Sequence, residues 1–287
     1  MSIVIWSGGR LRDEREPVLS AVDHGLTVGD GVFETAAVHG GQAFALTRHL
    51  RRLERSAVGL GLAAPDENEV RAGVAAVLEA GGPSVGRVRI TVTAGPGPMG
   101  SNRLPAGSRP HTLVVVAAPA TRAATSHSVR VPWVRNERSA VAGLKTTSYA
   151  ENVVALAYAG ERGADEAILA NTVGDLCEGT GSNVVVELGG ELLTPPLASG
   201  CLAGITRELF LEWGRDAGLP VRESDPGELP WEALDVVLAG RAHLALTSSI
   251  RNVQPVVQLD GTPIAAGPLT RQAEAMFEAR LPDDLDP

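Results

Sequence analysis

The chain has 287 residues, enough for two ordinary domains and a sizeable core. Hydrophobic residues make up 44% and charged residues 21%, a globular balance, and aromatics at 3% leave the packing to Val, Leu, Ile and Ala. A formal net charge of -9 argues against nucleic-acid or anionic-membrane partners, and two cysteines, Cys177 and Cys201, are too few for a disulfide scaffold.

Ile3–Trp6 reads as a short strand ended by Gly8-Gly9. Thr47 is placed to cap a helix with Leu50, Leu53, Ala57 and Leu60 on one face and Gly61 at its end. Asp66, with Glu69 three residues on, forms a capping box for a second helix through Val70, Val74 and Val77, which stops at Gly81-Gly82. Val88–Ala94 alternates like a half-buried strand, and Leu113–Val116 reads as a fully buried one. The small, polar stretch around Pro119 predicts a domain boundary, with a small N-terminal domain at 1–118, a linker at 119–128 and a larger C-terminal domain at 129–287. Ser148 and Glu151 form another capping box, before Val153, Val154, Ala157 and Tyr158. Ala167–Ala170 and Val184–Leu188 read as strands, with Gly189-Gly190 as a hairpin turn. A helix from Thr206 to Ala217 follows Gly204. Strands His243–Leu246 and Val256–Leu259 precede the turn Asp260-Gly261, and a last helix runs from Leu269 to Ala279. The acidic stretch Leu281–Pro287 reads as a frayed tail. The fold class is therefore mixed α and β in two domains. The chain shows no signal peptide and no apolar run of membrane-spanning length, so a cytoplasmic location is expected.

Five places carry candidate chemistry. Lys145, in GLKTTSYAEN, is held by short-range structure, and a lysine in a partly dry pocket can condense with an aldehyde. Arg48, beside His49 at a helix start, matches a phosphate site, because free N–H groups and the guanidinium fork point the same way. Gly204-Ile205-Thr206 opens a second helix where backbone can approach a ligand, and Thr247-Ser248-Ser249 puts three hydroxyls in one loop. Glu178, in CEGTGSN, is a carboxylate near apolar sequence and needs a partner if buried. Each has an ordinary alternative: a solvated lysine, a helix-face charge among Arg51, Arg52 and Arg55, simple caps and turns, a surface acid. The cysteines read as small buried residues.

Taken together these segments resemble the class IV aminotransferases, the fold-type-IV enzymes that use pyridoxal phosphate (PLP). The likeness runs through Asp23–Thr35 (DHGLTVGDGVFET), Ala45–Ala57 (ALTRHLRRLERSA), Gly143–Ala159 (GLKTTSYAENVVALAYA), Leu176–Val186 (LCEGTGSNVVV), Leu197–Glu208 (LASGCLAGITRE) and Leu246–Val256 (LTSSIRNVQPV). It implies a small N-terminal α/β domain, a larger C-terminal domain around a mixed barrel-like sheet, PLP between them, and homodimers. It also implies roles. Lys145 would hold PLP and move protons, and Glu178 would pair with the pyridine nitrogen. Arg48, Ile205, Thr206, Ser248 and Ser249 would bind the phosphate, and Tyr149 would lie near the phenolic oxygen. A protonated ring nitrogen makes PLP an electron sink, which a paired carboxylate supports.

Within the family the run GDGVFET, then RHLRRL, then TSSIRNVQPV is most similar to the 4-amino-4-deoxychorismate lyases. Branched-chain enzymes carry an arginine where this chain has Ala37. D-amino acid enzymes carry a tyrosine at the Phe33 position and an Arg-x-His carboxylate trap where this chain reads GPGPMGSNR. The implied substrate is a small amino-bearing molecule, with Phe33 and Arg103 as substrate contacts. A transaminase of D-amino or branched-chain amino acids and a non-catalytic relative are the other readings.

Overall fold

The computed structural model describes residues 3–105 and 111–287. Two compact units divide the chain. Unit 1 is built from Met1–Thr121, Leu144–Tyr149 and Asp284–Pro287, and unit 2 from Arg122–Gly143 and Ala150–Asp283.

In unit 1 the strands are β1 (Val4–Ser7), β2 (Arg10–Arg12), β3 (Gly31–His39), β4 (Gln42–Ala43), β5 (Arg87–Thr93) and β6 (Thr112–Ala118). They form an antiparallel sheet in the order β2-β1-β6-β5-β3-β4. The helices are α1 (His24–Thr27), α2 (Leu46–Gly59) and α3 (Glu67–Gly81). Strand residues alternate between faces, so β5 turns Val88, Ile90 and Val92 into the core and leaves Arg87, Arg89 and Thr91 on the other face. Leu113, Val115 and Ala117 of β6 are buried while their neighbours are only half-buried, which corrects the expectation of a fully buried strand: helices cover one face of this sheet. Leu50, Leu53 and Ala57 of α2 and Val70, Val74 and Val77 of α3 complete the core, and each buried leucine stabilises by about 2 kcal/mol.

Thr47 is not the cap of α2. The helix starts one residue earlier, and its capping position is Ala45, in a left-handed conformation (φ 52°). Asp66 does cap α3, accepting from Asn68 N and Glu69 N. The acidic tail is not frayed at its last residues. Ala45 N donates to Leu285 O at 2.7 Å and Thr47 N to Asp286 Oδ1 at 2.8 Å, so backbone and side-chain bonds tie the segment to the start of α2.

Unit 2 contains β7 (Ser126–Arg135), β8 (Glu166–Asn171), β9 (Leu176–Gly179), β10 (Asn183–Leu188), β11 (Glu191–Thr194), β12 (Val221–Glu223), β13 (His243–Ser248), β14 (Asn252–Leu259) and β15 (Thr262–Pro263). Its helices are α4 (Ala150–Gly160), α5 (Ile205–Asp216), α6 (Ala233–Leu238) and α7 (Pro268–Arg280). The sheet runs β10-β13-β14-β7-β8-β9, and β9 pairs back onto β10, which closes the six strands into a barrel of mixed direction. Closure leaves those strands without an open edge. Ser126–Ser128, read as linker, are the first residues of β7, because Ser126 pairs with Val256 and Ser128 with Glu166. The Ser148 hydroxyl donates to Gly29 O, and Glu151 in the first turn of α4 meets Arg135. Among the described residues no helix is long and apolar enough to cross a membrane.

Candidate active site

Lys145 is placed by an edge of β3. Phe33 N donates to Lys145 O at 3.0 Å, Thr147 N donates to Gly31 O at 2.8 Å, and Val32 bridges Thr146 between them in antiparallel register. Facing residues of an antiparallel pair share a face. Lys145 stands opposite Phe33, so its side chain leaves on the Phe33 face, away from the helices. Its Nζ reaches 4.5 Å from the Phe33 ring centre and donates to the Tyr149 hydroxyl at 3.2 Å. The Tyr149 ring meets Phe33 edge-on, with centroids 5.0 Å apart. Thr147 and Ser148 hydroxyls both donate to Gly29 O, and Gly29 has φ +68° with the Ser148 hydroxyl where a Cβ would stand. The glycine thus serves both the turn and the close approach that fixes the lysine segment.

Arg89 shares this face. Its guanidinium carbon lies 3.7 Å from the centre of the same Phe33 ring, and its Nε donates to Thr91 Oγ1. Residue 89 as a whole is exposed, yet burial of the guanidinium against the ring holds it below the ordinary arginine value, with Tyr149 opposing. Arg89 was not among the candidate residues named from the sequence. Its one signal was a cation in a strand otherwise of Val, Ile and Thr, and the partner ring is far away in sequence.

The opposite face of β3 holds Glu34, fully buried on α2. Arg52 forks onto it, Nε to Oε1 at 2.8 Å and an Nη to Oε2 at 2.6 Å, and His49 Nδ1 lies 2.7 Å from Oε2. Burial opposes ionisation of Glu34, but the charge and hydrogen bonds of Arg52, with those of His49, overcome it and hold the carboxyl down at about 2. Burial in turn lowers the His49 imidazole below its ordinary value against the pull of Glu34. Arg52 is therefore not a solvated helix charge. His49, Arg52 and Ser56 form a helical stripe flanking Leu50, Leu53 and Ala57, and that spacing was the available signal. Ser56 closes the link to the site, its hydroxyl accepting from Lys145 N at 3.2 Å.

Of the other unit 1 candidates, Arg48 lies on the first turn of α2, and its Nε donates to Pro287 O at 2.8 Å. Arg103 is engaged with the protein itself, its fork holding Asp30 at 2.6 and 2.5 Å and a further N–H donating to Gly61 O.

In unit 2 the strand register gathers the remaining candidates. Glu178 of β9 pairs with Asn183 of β10, and Asn183 pairs with Thr247 of β13, so the three stand abreast at one rim of the barrel. Leu202 N donates to Glu178 Oε2 at 2.9 Å and Arg135 Nε to Oε1 at 3.2 Å. Asn183 donates to Leu202 O at 2.8 Å and lies so close to Gly204 that a Cβ there would collide with its Oδ1. Directly after Gly204, buried Ile205 and Thr206 open α5, whose start has no side-chain cap. Ser248 ends β13 and accepts from Arg251 N at 3.3 Å, with Ser249 next in the turn. The Thr247 hydroxyl is buried with no hydrogen-bond partner among the described residues. Arg135 and Asn183 were not singled out from sequence, since only the closed barrel makes them neighbours of Glu178; Thr247, expected in a loop with Ser248 and Ser249, lies within β13. Cys177 and Cys201 are buried beside Glu178, as read. Burial, with the Glu178 charge, pushes both thiols up, Cys201 to about 11.

A sequence profile of the amino-transferase class IV family matches residues 31–259. The chain belongs to that family. As a class IV aminotransferase it is a PLP-dependent enzyme. It is 30% identical to a candidate branched-chain-amino-acid aminotransferase of Methanocaldococcus jannaschii, covering 96% of this chain and 95% of the relative. It is 28% identical to the bifunctional aminodeoxychorismate lyase / D-amino acid transaminase of Mycobacterium tuberculosis, covering 98% and 100%. Among solved structures, the fold IV-transaminase CpuTA1 of Curtobacterium pusillum superposes with a TM-score of 0.81 at 29% identity, covering 97% of this chain and 100% of that one. The fold-type-IV architecture expected from sequence is the one observed.

Proposed function

We propose that this class IV aminotransferase is a lyase acting on 4-amino-4-deoxychorismate, releasing pyruvate and leaving 4-aminobenzoate. One observation carries the reading: around the single Phe33 ring stand an amine, a phenol and a guanidinium, Lys145, Tyr149 and Arg89. The amine can take and return a proton, the phenol can orient it, and the guanidinium answers a carboxylate of the substrate. The lyase relative named above supports the choice of substrate.

The residues fit PLP. Lys145 is the amine for its aldehyde, and Tyr149 is assigned to the phenolic oxygen. Glu178, a buried carboxylate oriented by Leu202 N and Arg135, is assigned to the ring nitrogen. Thr206 at the start of α5, Ile205, Ser248, Ser249 and Arg48 are assigned to the phosphate, and the Thr247 hydroxyl next to Ser248, buried with no partner among the described residues, supports the assignment of that turn. When bound, PLP supplies an electron sink for the bond being broken. Phe33 is the floor on which the amine and the carboxylate-binding group are held together. Arg103, already forked to Asp30, is replaced by Arg89 as the proposed carboxylate contact.

A homodimer belongs to this proposal. In α4, Val153, Val154 and Leu156 are 63%, 52% and 44% exposed, and Trp133 nearby in unit 2 is 45% exposed, an apolar surface suited to a second copy. The second reading, a transaminase of D-amino acids, is favoured by the double name of the M. tuberculosis relative. Purified enzyme given aminodeoxychorismate should release pyruvate and show negligible amino exchange between amino acids and 2-oxo acids. Rapid exchange without pyruvate release would replace the lyase by the transaminase. Visible cofactor absorbance unchanged in Lys145→Ala would remove both.

A further inference from the structure

The first turn of α2 carries the arginine assigned above to the phosphate, yet the sequence there supplies no cap. Ala45 has no side-chain bond to the helix start. The first N–H groups of a helix have no intrahelical partners and need others. Here the partners come from the far end of the sequence. Leu285 O accepts from Ala45 N at 2.7 Å, and Asp286 takes Thr47 twice, Oδ1 from the backbone N at 2.8 Å and Oδ2 from the hydroxyl at 2.6 Å. Arg71 donates to the same hydroxyl at 3.0 Å, which steadies it. Pro287 O accepts from Arg48 Nε at 2.8 Å. A carboxylate at a helix start is favoured by the helix dipole and does the work of a cap. Nε is coplanar with the guanidinium fork, so a bond to it sets the plane in which the fork lies.

We propose that Asp284–Pro287 is a positioning segment for phosphate binding, in which Asp286 shapes the first turn of α2 and Pro287 orients the Arg48 guanidinium. The inference rests on the reading that Arg48 meets the phosphate of PLP. A remote acid serves as a cap elsewhere in this protein. Buried Glu187 of β10 accepts from Leu269 N, Thr270 N and Thr270 Oγ1 at the start of α7. The difference at α2 is that the capped turn also bears a proposed ligand-binding side chain.

The test compares PLP with pyridoxal, which lacks the phosphate. The full chain, Asp286→Ala, Asp286→Asn, a variant without residues 284–287, and Arg48→Ala are titrated with each aldehyde by visible absorbance, and thermal midpoints are recorded. Asp286→Ala should weaken PLP roughly fivefold, the scale of a lost cap, and the shortened chain at least as much, with pyridoxal unchanged. Asp286→Asn should retain most of the affinity, since the amide oxygen still accepts from Thr47 N. Equal losses for PLP and pyridoxal, or no loss for either, overturn the inference. If Arg48→Ala abolishes the preference for PLP over pyridoxal and the segment variants keep it, the inference fails while the reading of Arg48 stands. If Arg48→Ala keeps the preference, the reading of Arg48 fails and the inference with it. Should the shortened chain not fold, the two Asp286 variants decide.

Discussion

Replacing Glu34 by glutamine removes the carboxylate onto which the buried Arg52 guanidinium forks and beside which His49 lies. Gln keeps the shape but presents an amide N–H₂ where the Arg52 fork donates, and it takes away the Glu34 charge that the fork faces. Breaking a buried pair from one side costs about 3–5 kcal/mol. The lowering of Glu34 from 4.5 to about 2, at about 1.4 kcal/mol per pH unit, is of the same order, roughly 3 kcal/mol. The sign follows from the direction. A carboxyl whose value is lower in the folded state contributes stability above its unfolded value, and that contribution is lost as pH falls from about 4.5 towards 2. His49, lowered by burial, works the same way, its contribution fading as pH falls below about 6.5. Urea unfolding of the wild-type protein and Glu34→Gln from pH 7 to pH 3 measures both. The variant should be about 3 kcal/mol less stable at pH 7, and its stability should fall less steeply below pH 5. Because Ser56 and Phe33 hold the lysine backbone, the visible band formed with PLP should also titrate at a changed pH in the variant. Equal stability and equal acid slopes in the two proteins would refute the assignment of this cluster.

Arg89→Ala should raise KM for a carboxylate-bearing substrate about 10- to 100-fold, the loss of a charge-assisted contact, and leave PLP binding intact; unchanged steady-state kinetics would return the carboxylate to another group. Neither Cys177 nor Cys201 should react with a thiol reagent in the folded protein at pH 8, because both are buried and both thiols are raised, and a colour change without unfolding would contradict this. Gly204→Ala should lower the thermal midpoint and weaken PLP, since its Cβ would displace Asn183 beside Glu178; an alanine variant with wild-type affinity would show that the rim tolerates the shift.

How far the site could be read from sequence differs residue by residue. Lys145, Glu178, Arg48 and the Gly204–Thr206 turn were nameable because each sits in a short run whose local structure is set by its neighbours in sequence. Their partners were not. Arg89 touches Phe33 only because β5 pairs with β3 in one register, Phe33 opposite Thr91. Arg52 looked like one of several surface arginines, since an alternating helical pattern gives the stripe but not what faces it. The last residues were read as loose because an acidic, proline-flanked stretch carries no helical or strand periodicity, and nothing local reveals that its hydrogen-bond partners lie at α2.

By itself the sequence determined where most strands and helices fall, the mixture of the two in each half, and which segments carry the amine, the acid and the anion-binding turns. These are matters of short-range periodicity, capping and turn chemistry, decided within a few residues. The tertiary structure alone decided the closure of β9 onto β10, the meeting of Lys145, Tyr149 and Arg89 around one ring, the buried Glu34 clamp and the remote cap on α2. Those depend on strand register and on contacts between residues far apart in the chain, where a shift of one position would turn every side chain to the other face.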